Sequence, residues 1–182
     1  MQPEAPHEAS MLQPVDFDDD DPRFFMQLAL DEAKKCIPSQ TAFSVGAVLV
    51  DNTVRPYKIL ATGFSRELEG NTHAEEVCFT KLMKETPLPG YEKEYTIYTT
   101  MEPCSERLSG KKPCVDRIID FGRVSTVYVG CQEPSTFVTE NTATSKLAER
   151  GIRYLLVDGM GSECRNVATK GHLDSPSGTD FK

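Results

Sequence analysis

His73, Glu75, Cys104 and Cys114 are the residues of this chain whose types and spacing could do chemistry. One imidazole and two thiols suit a borderline-soft metal ion. Three protein ligands leave a tetrahedral zinc one open position for water, the mark of a catalytic rather than a structural site. Zinc lowers the pKa of such a water to about 7. A carboxylate that takes a proton from the water and returns it to a departing amine contributes about 100-fold to 10,000-fold in rate. Glu75 is placed for that task. Standing two residues after His73, it cannot share a helix face with it as an i,i+4 pair would, but a first-turn carboxylate can flank a metal from the other side. Taken alone, His73 reads better as a capping or surface histidine; the company of Glu75 and the two cysteines makes it a ligand.

The elements that must position these residues follow from periodicity. From Pro22 onward Phe24, Phe25, Leu28, Ala29, Ala33 and Cys36 recur at helical spacing, predicting a helix that ends near Ile37 and Pro38. Phe43 to Val50 and Lys58 to Phe64 read as a hairpin, with Asp51 and Asn52 supplying the turn. Asn71 and Thr72 are suited to cap a helix beginning at His73, which Pro87, Pro89 and Gly90 break. A strand from Glu94 to Thr100 leads into Met101-Glu102-Pro103-Cys104. Pro113 then opens a helix that Gly122 ends. His73 and Cys114 thus both fall in first turns, where free N–H groups and the helix dipole favour thiolate over thiol. Strand Val124 to Gly130, helix Thr142 to Arg150 and strand Arg153 to Val157 complete the order. That order predicts an α/β fold: a mixed sheet of about five strands with helices on both faces.

At 182 residues and 38% hydrophobic content the chain suits one compact domain. We expect a mobile acidic extension over residues 1 to 21, containing the run Asp18 to Asp21, a catalytic domain over 22 to 158, and a loosely held tail over 159 to 182. A net charge of -8 is the wrong sign for a phosphate-backbone binder, which excludes nucleic acid as a partner. The N-terminus has no basic stretch followed by an apolar segment, and no run reaches the roughly 18 apolar residues of a membrane span. The expectation is a soluble protein of the cytoplasm or nucleus. A disulfide framework is not needed at this size. Cys36, Cys78 and Cys131 read as small buried hydrophobes, Cys164 as a free thiol in the tail. His7 and His172 are assigned no role.

His73-Ala74-Glu75, followed after a strand by Pro103-Cys104 and a further cysteine, resembles the signature of the cytidine-deaminase superfamily. The order of elements agrees over roughly residues 22 to 158. The chain departs from the signature in one place, because nine residues, Ser105 to Pro113, separate the cysteines where the usual motif has two. The run Met101 to Cys114, together with Gly70-Asn71-Thr72-His73-Ala74-Glu75, is similar to the fungal riboflavin-biosynthesis pyrimidine deaminases.

That resemblance implies a cytidine-deaminase-like three-layer α/β/α sandwich. It also implies Zn2+ on His73, Cys104 and Cys114, and a homo-oligomer, most simply a dimer. The implied reaction hydrolyses 2,5-diamino-6-ribitylamino-4(3H)-pyrimidinone 5'-phosphate to 5-amino-6-ribitylamino-2,4-pyrimidinedione 5'-phosphate and ammonia. In it Glu75 protonates the ring and then the amine, and the Cys104 backbone N–H helps to position the water. Arg107, Ser109, Lys111 and Lys112 on the loop between the cysteines form a local basic and polar cluster able to meet a phosphate and a polyol, or a solvated loop. Asn71 is equally suited to cap its helix or to contact the substrate, and Phe43 to stack on the ring. Bacterial relatives have Pro-Asn-Pro where this chain has Thr41-Ala42-Phe43-Ser44, leaving Arg66 either to substitute or to be solvated. A cytidine-nucleotide deaminase, a tRNA adenosine deaminase and a non-catalytic zinc-binding subunit would share the ligands. The long loop argues against the first, the acidic charge against the second and the presence of Glu75 against the third.

Overall fold

The structure, a computed structural model, describes residues 20–85, 94–134 and 141–172. His7, Asp18 and Asp19 of the acidic run, most of the N-terminal extension, the helix break at Pro87, Pro89 and Gly90, and the last residues of the expected tail lie outside the described residues. The elements are α1 (Pro22–Ala33), β1 (Gly46–Asp51), β2 (Lys58–Phe64), α2 (Ala74–Glu85), β3 (Tyr95–Met101), α3 (Cys114–Phe121), β4 (Val124–Cys131), α4 (Ala143–Ala148), β5 (Arg153–Leu156) and α5 (Gly161–Ala168), followed by a single 3-10 turn at Lys170–His172.

The five strands form one sheet in the order β2-β1-β3-β4-β5. β1 pairs antiparallel with both β2 and β3, while β3–β4 and β4–β5 are parallel. The mixed sheet follows from the connections: a short turn joins β1 to β2, whereas α3 and α4 each carry the chain back to start a parallel neighbour. Alternation along β1 sends Ala47 and Leu49 into one core and Val48 and Val50 into the other. The first core lies under α2, α3 and α4, the second under α1 and α5, so the sheet is covered on both faces. In β4 the register shifts once opposite Tyr95 and Thr96, and this extra residue lets Val124, Val127 and Val129 all face the first core.

α1 buries Phe25, Met26, Ala29, Leu30 and Ala33, with Pro22 at its start and the Asp21 carboxylate accepting the Arg23 backbone N–H at 2.9 Å. It stops four residues short of Ile37, which is exposed. β1 likewise begins at Gly46 rather than Phe43, because the preceding residues bond elsewhere. The Ser44 N–H goes to the Ala168 carbonyl at 3.0 Å and the Val45 N–H to the Ser65 hydroxyl at 3.1 Å.

The stretch after Asp158 corrects an expectation. Part of the presumed loose tail is α5, with Met160, Cys164 and Ala168 buried against α1 and the sheet. Its apolar positions recur at helical spacing but are small residues among Gly, Ser and charges, so composition hides them. Close packing replaces bulk: a Cβ added at Gly130 of β4 would meet Cys164 Sγ at 2.4 Å, so glycine lets α5 lie directly on the strand. All six cysteines are free and buried. No helix among the described residues is long and apolar enough to cross a membrane.

Candidate metal and catalytic site

The site forms at one end of the sheet, where three segments converge. The first is the turn from β2 into α2. The Arg66 N–H donates to the Thr72 carbonyl at 2.7 Å, and the Thr72 hydroxyl bonds Leu68 twice, accepting from its N–H at 3.2 Å and donating to its carbonyl at 3.1 Å. Thr72 therefore closes the turn instead of capping α2. Asn71 adopts a positive φ of 55° and is exposed. Glu76 takes the capping role, reaching back to the His73 N–H at 3.4 Å while the His73 carbonyl accepts from Val77 at 3.0 Å. A Cβ at Gly63 would meet the Ala74 carbonyl at 2.6 Å, so glycine admits this first turn against β2.

The second segment runs from the end of β3 to Cys104, tied to β4 by the Glu102 N–H bonding the Cys131 carbonyl at 2.8 Å. The third is the first turn of α3, whose Cys114 N–H points at Cys104 Sγ at 3.4 Å. Pro113 is the N-cap residue and Gly122 ends the helix in the left-handed region.

Together these segments place His73 Nδ1 3.5 Å from Cys104 Sγ and 3.4 Å from Cys114 Sγ, with all three ligand atoms within 4.8 Å of one another. A tetrahedral zinc with Zn–N near ~2.05 Å and Zn–S near ~2.3 Å requires N···S edges of roughly 3.5 Å. The residues therefore fit such an ion in both donor type and spacing. Cys104 is held as the more acidic thiol by hydrogen bonds from Cys114 and His73, and Cys114 is pushed up by its pairing with Cys104 and by burial.

Glu75 stands beside this triangle, 3% exposed, with Oε2 3.3 Å from Cys114 Sγ and Oε1 3.4 Å from the Thr99 hydroxyl. Burial pushes its carboxyl above the ordinary range, the neighbouring Cys104 adds to that, and His73 opposes it. His73, Glu75 and Cys104 line a cavity of about 150 Å³.

Of the expected substrate contacts, Phe43, Asn71 and Ser109 line that cavity, and Lys111 and Lys112 do not. Lys111 bonds the Gly70 carbonyl and Lys112 pairs with Asp120, both on the outer surface. Arg107 reaches the cavity wall but is turned inward. Its side chain is 2% exposed, donating to Glu76 Oε2 at 2.9 Å and to the Asn71 carbonyl at 2.7 Å, so it is no free phosphate partner. Arg66 also lines the cavity while bonding the Ile37 carbonyl at 2.7 Å.

Three features were not read from the sequence. His172 packs on Phe43 with ring centroids 5.0 Å apart, so the 3-10 turn after α5 braces a cavity wall. Glu133, just after β4, lines the cavity. Its carboxyl accepts from the Asn141 amide at 2.7 Å and its backbone N–H donates to Glu102 at 3.2 Å. Burial first, and then the charge of Cys104, push the Glu133 carboxyl up to about 7. Glu76 is the third: burial raises its carboxyl, but Arg107 and Arg117 outweigh that and hold it below the usual range.

A family profile, the cytidine and deoxycytidylate deaminase zinc-binding region, matches residues 19–131. The chain belongs to that family. Among deaminases of known sequence, the diaminohydroxyphosphoribosylamino-pyrimidine deaminase of Schizosaccharomyces pombe is 43% identical over 148 residues, 81% of this chain and 35% of that protein. The chain thus spans about a third of that relative's length. Among solved structures, the Aspergillus oryzae Rib2 deaminase, a C-terminal deletion mutant, superposes with a TM-score of 0.75 at 34% identity, over 84% of this chain and 92% of that one. The same deaminase in complex with DARIPP gives 0.72 at 33% identity, over 82% and 91%. The deaminase-like α/β fold expected from the sequence is the fold observed.

Proposed function

We propose that this chain is a zinc-dependent hydrolytic deaminase converting 2,5-diamino-6-ribitylamino-4(3H)-pyrimidinone 5'-phosphate to 5-amino-6-ribitylamino-2,4-pyrimidinedione 5'-phosphate and ammonia, in riboflavin biosynthesis. The observation that carries the reading is a buried carboxylate, Glu75, at the wall of a cavity beside a His73–Cys104–Cys114 triangle of zinc-binding dimensions. Family membership and the relatives named for this pyrimidine chemistry support it.

In this reading His73, Cys104 and Cys114 hold the metal, which when bound polarises a water and lowers its pKa to about 7. Glu75, within reach of the same open position, accepts a proton from the water on a carboxylate oxygen, delivers it to the ring nitrogen next to C2, and serves the departing amine in turn. Thr99 and the buried surroundings hold the carboxylate in one orientation. Phe43, braced by His172, offers a face for the pyrimidine ring, and Asn71 and Ser109 offer hydrogen bonds to its polar substituents. The enzyme works in the cytoplasm as a homodimer, which sedimentation and cell fractionation check.

The experiment is ammonia release by purified zinc-loaded protein, with the ribitylaminopyrimidine phosphate and cytidine nucleotides offered separately. Turnover of the former is expected; turnover of cytidine nucleotides alone would sink the substrate assignment.

A further inference from the structure

Each of the three residues that face the metal position has a charged residue three places further along the chain: Glu76 after His73, Arg107 after Cys104 and Arg117 after Cys114. The structure joins these three as well. Glu76 Oε2 accepts from Arg107 Nη1 at 2.9 Å and Glu76 Oε1 accepts from Arg117 Nη2 at 2.8 Å. The same Oε2 lies 3.4 Å from the His73 N–H. Arg107 continues to the Asn71 carbonyl at 2.7 Å, and Arg117 to the Lys112 carbonyl at 3.3 Å.

We propose that the Glu76–Arg107–Arg117 cluster is a positioning device for the metal site, one carboxylate clasping the three chain segments that carry His73, Cys104 and Cys114. The proposal rests on the reading of those three residues as zinc ligands. The nine residues between the cysteines include Gly110 at a φ of 71° and carry Leu108 84% exposed, and beyond Arg107 the loop is held at the surface by Lys111 on the Gly70 carbonyl and Lys112 on Asp120. Cys104 and Cys114 sit on opposite ends of that loop, while His73 belongs to a different helix. A site held only by ligand–metal bonds would have to order all three segments at the moment of binding, at the expense of chain entropy. The clasp orders them beforehand: Arg107 fixes the loop's first turn, Arg117 fixes the first turn of α3, and Glu76 fixes the backbone that presents His73.

The charge balance explains why one acid serves two bases. Glu76 and Arg117 are partly covered and Arg107 is almost wholly so. An isolated buried guanidinium would be heavily penalised, and Arg107 avoids this with two charge-assisted or carbonyl partners. Neutralising Glu76 leaves both arginines with an amide whose NH2 group faces one of them. Residues that orient metal ligands from behind typically change metal affinity or activity by about 10-fold to 100-fold when altered.

The test measures zinc affinity by competition with a chromophoric chelator for wild type, Glu76→Gln, Arg107→Gln and the double variant, with folding checked by circular dichroism of each zinc-free protein. Stoichiometric zinc in wild type establishes the site itself; its absence would be a failure of the ligand assignment, not of the clasp. Given that zinc, Glu76→Gln and Arg107→Gln are each expected to weaken binding about 10-fold to 100-fold and to speed zinc release. The double variant is expected to lose less than the sum of the two single losses, because both break the Glu76–Arg107 contact. Affinity within twofold of wild type in a folded Glu76→Gln protein, or strictly additive losses, would overturn the proposal. A variant that lost only thermal stability while keeping its zinc affinity would do so equally. Should Glu76→Gln not fold, Arg117→Gln, whose side chain lies nearer the surface, carries the same expectation.

Discussion

Replacing Glu133 by Gln should remove a pH-dependent weakness of the folded protein. Burial, with the added charge of Cys104, raises the Glu133 carboxyl from 4.5 to about 7. Below about pH 4.5 the group is protonated in both folded and unfolded chains and contributes nothing to their difference. As pH rises toward 7 the unfolded chain releases the proton while the folded chain retains it, so folded stability falls, and above 7 the whole penalty is present. At 1.36 kcal/mol per unit of pKa the span is about 3.4 kcal/mol, and partial exposure of the group discounts this to about 1–2 kcal/mol. Gln keeps an oxygen for the Asn141 amide that now donates at 2.7 Å, so the side chain's anchor survives. Urea unfolding of wild type and Glu133→Gln at pH 4, 6, 7 and 8 should give curves closest together at pH 4. The variant should then pull ahead by about 1–2 kcal/mol at pH 8. The gap should be wider in chelator-treated protein, where no cation offsets the Cys104 thiolate. A stability difference that stays flat across this range would refute the reasoning.

Glu75→Gln should retain one zinc per chain by metal analysis while turnover drops about 100-fold to 10,000-fold, the range for losing a general acid–base group; loss of zinc or retained turnover would contradict its role. Gly63→Ala, which forces a Cβ to 2.6 Å from the Ala74 carbonyl, should destabilise the fold by about 1–3 kcal/mol in urea titration and loosen zinc, since the first turn of α2 must shift. His172→Ala should cost about 1 kcal/mol of stability through the lost ring contact and raise KM more than it lowers kcat, as Phe43 loses its brace. Stripping zinc with a chelator should lower the melting temperature, because an ion at about 1,000 times its Kd contributes about 4.1 kcal/mol to the folded state; an unchanged melting temperature would argue against a bound metal.

The parts legible in the sequence are those where one residue type has one use. Pro22, Gly122 and the alternating Val and Leu of β1 announce a helix start, a helix end and a buried strand, and the chain obeys them. The convergence of His73, Cys104 and Cys114 was likewise readable, because few combinations of imidazole and thiol share so specific a neighbourhood. What stayed hidden involves residues with several uses. Arg107 looks like a ligand for anions in any basic loop, and only the fold reveals that its anion is Glu76, thirty-one positions back. Glu75 and Glu76 are chemically identical neighbours; the motif singles out Glu75 for the metal side and gives Glu76 no role, and only the fold shows Glu76 facing two arginines. α5 escaped because Cys164 and Ala168 pack by being small, a property that hydrophobicity does not register. Lys111 and Lys112, grouped with Arg107 by charge, point to the outer surface because the loop reverses at Gly110.

The three-residue interval between ligand and clasp divides the loop between the cysteines into two halves with different tolerances. Cys104 to Arg107 is a fixed measure: one residue more or fewer would move the guanidinium by about 3.5 Å and take it out of reach of Glu76. The stretch from Leu108 to Gly110 has no such measure to keep, with an exposed leucine and a left-handed glycine at its crest, whereas Lys111 is tied to the Gly70 carbonyl and the Lys112 carbonyl to Arg117. Length can therefore vary most readily at the crest, Leu108 to Gly110, where it would reshape the rim of the cavity around Ser109 with least disturbance of the metal position. A designer wishing to admit a larger or smaller substrate would lengthen or trim there, and a lineage diverging in substrate would be expected to have done the same.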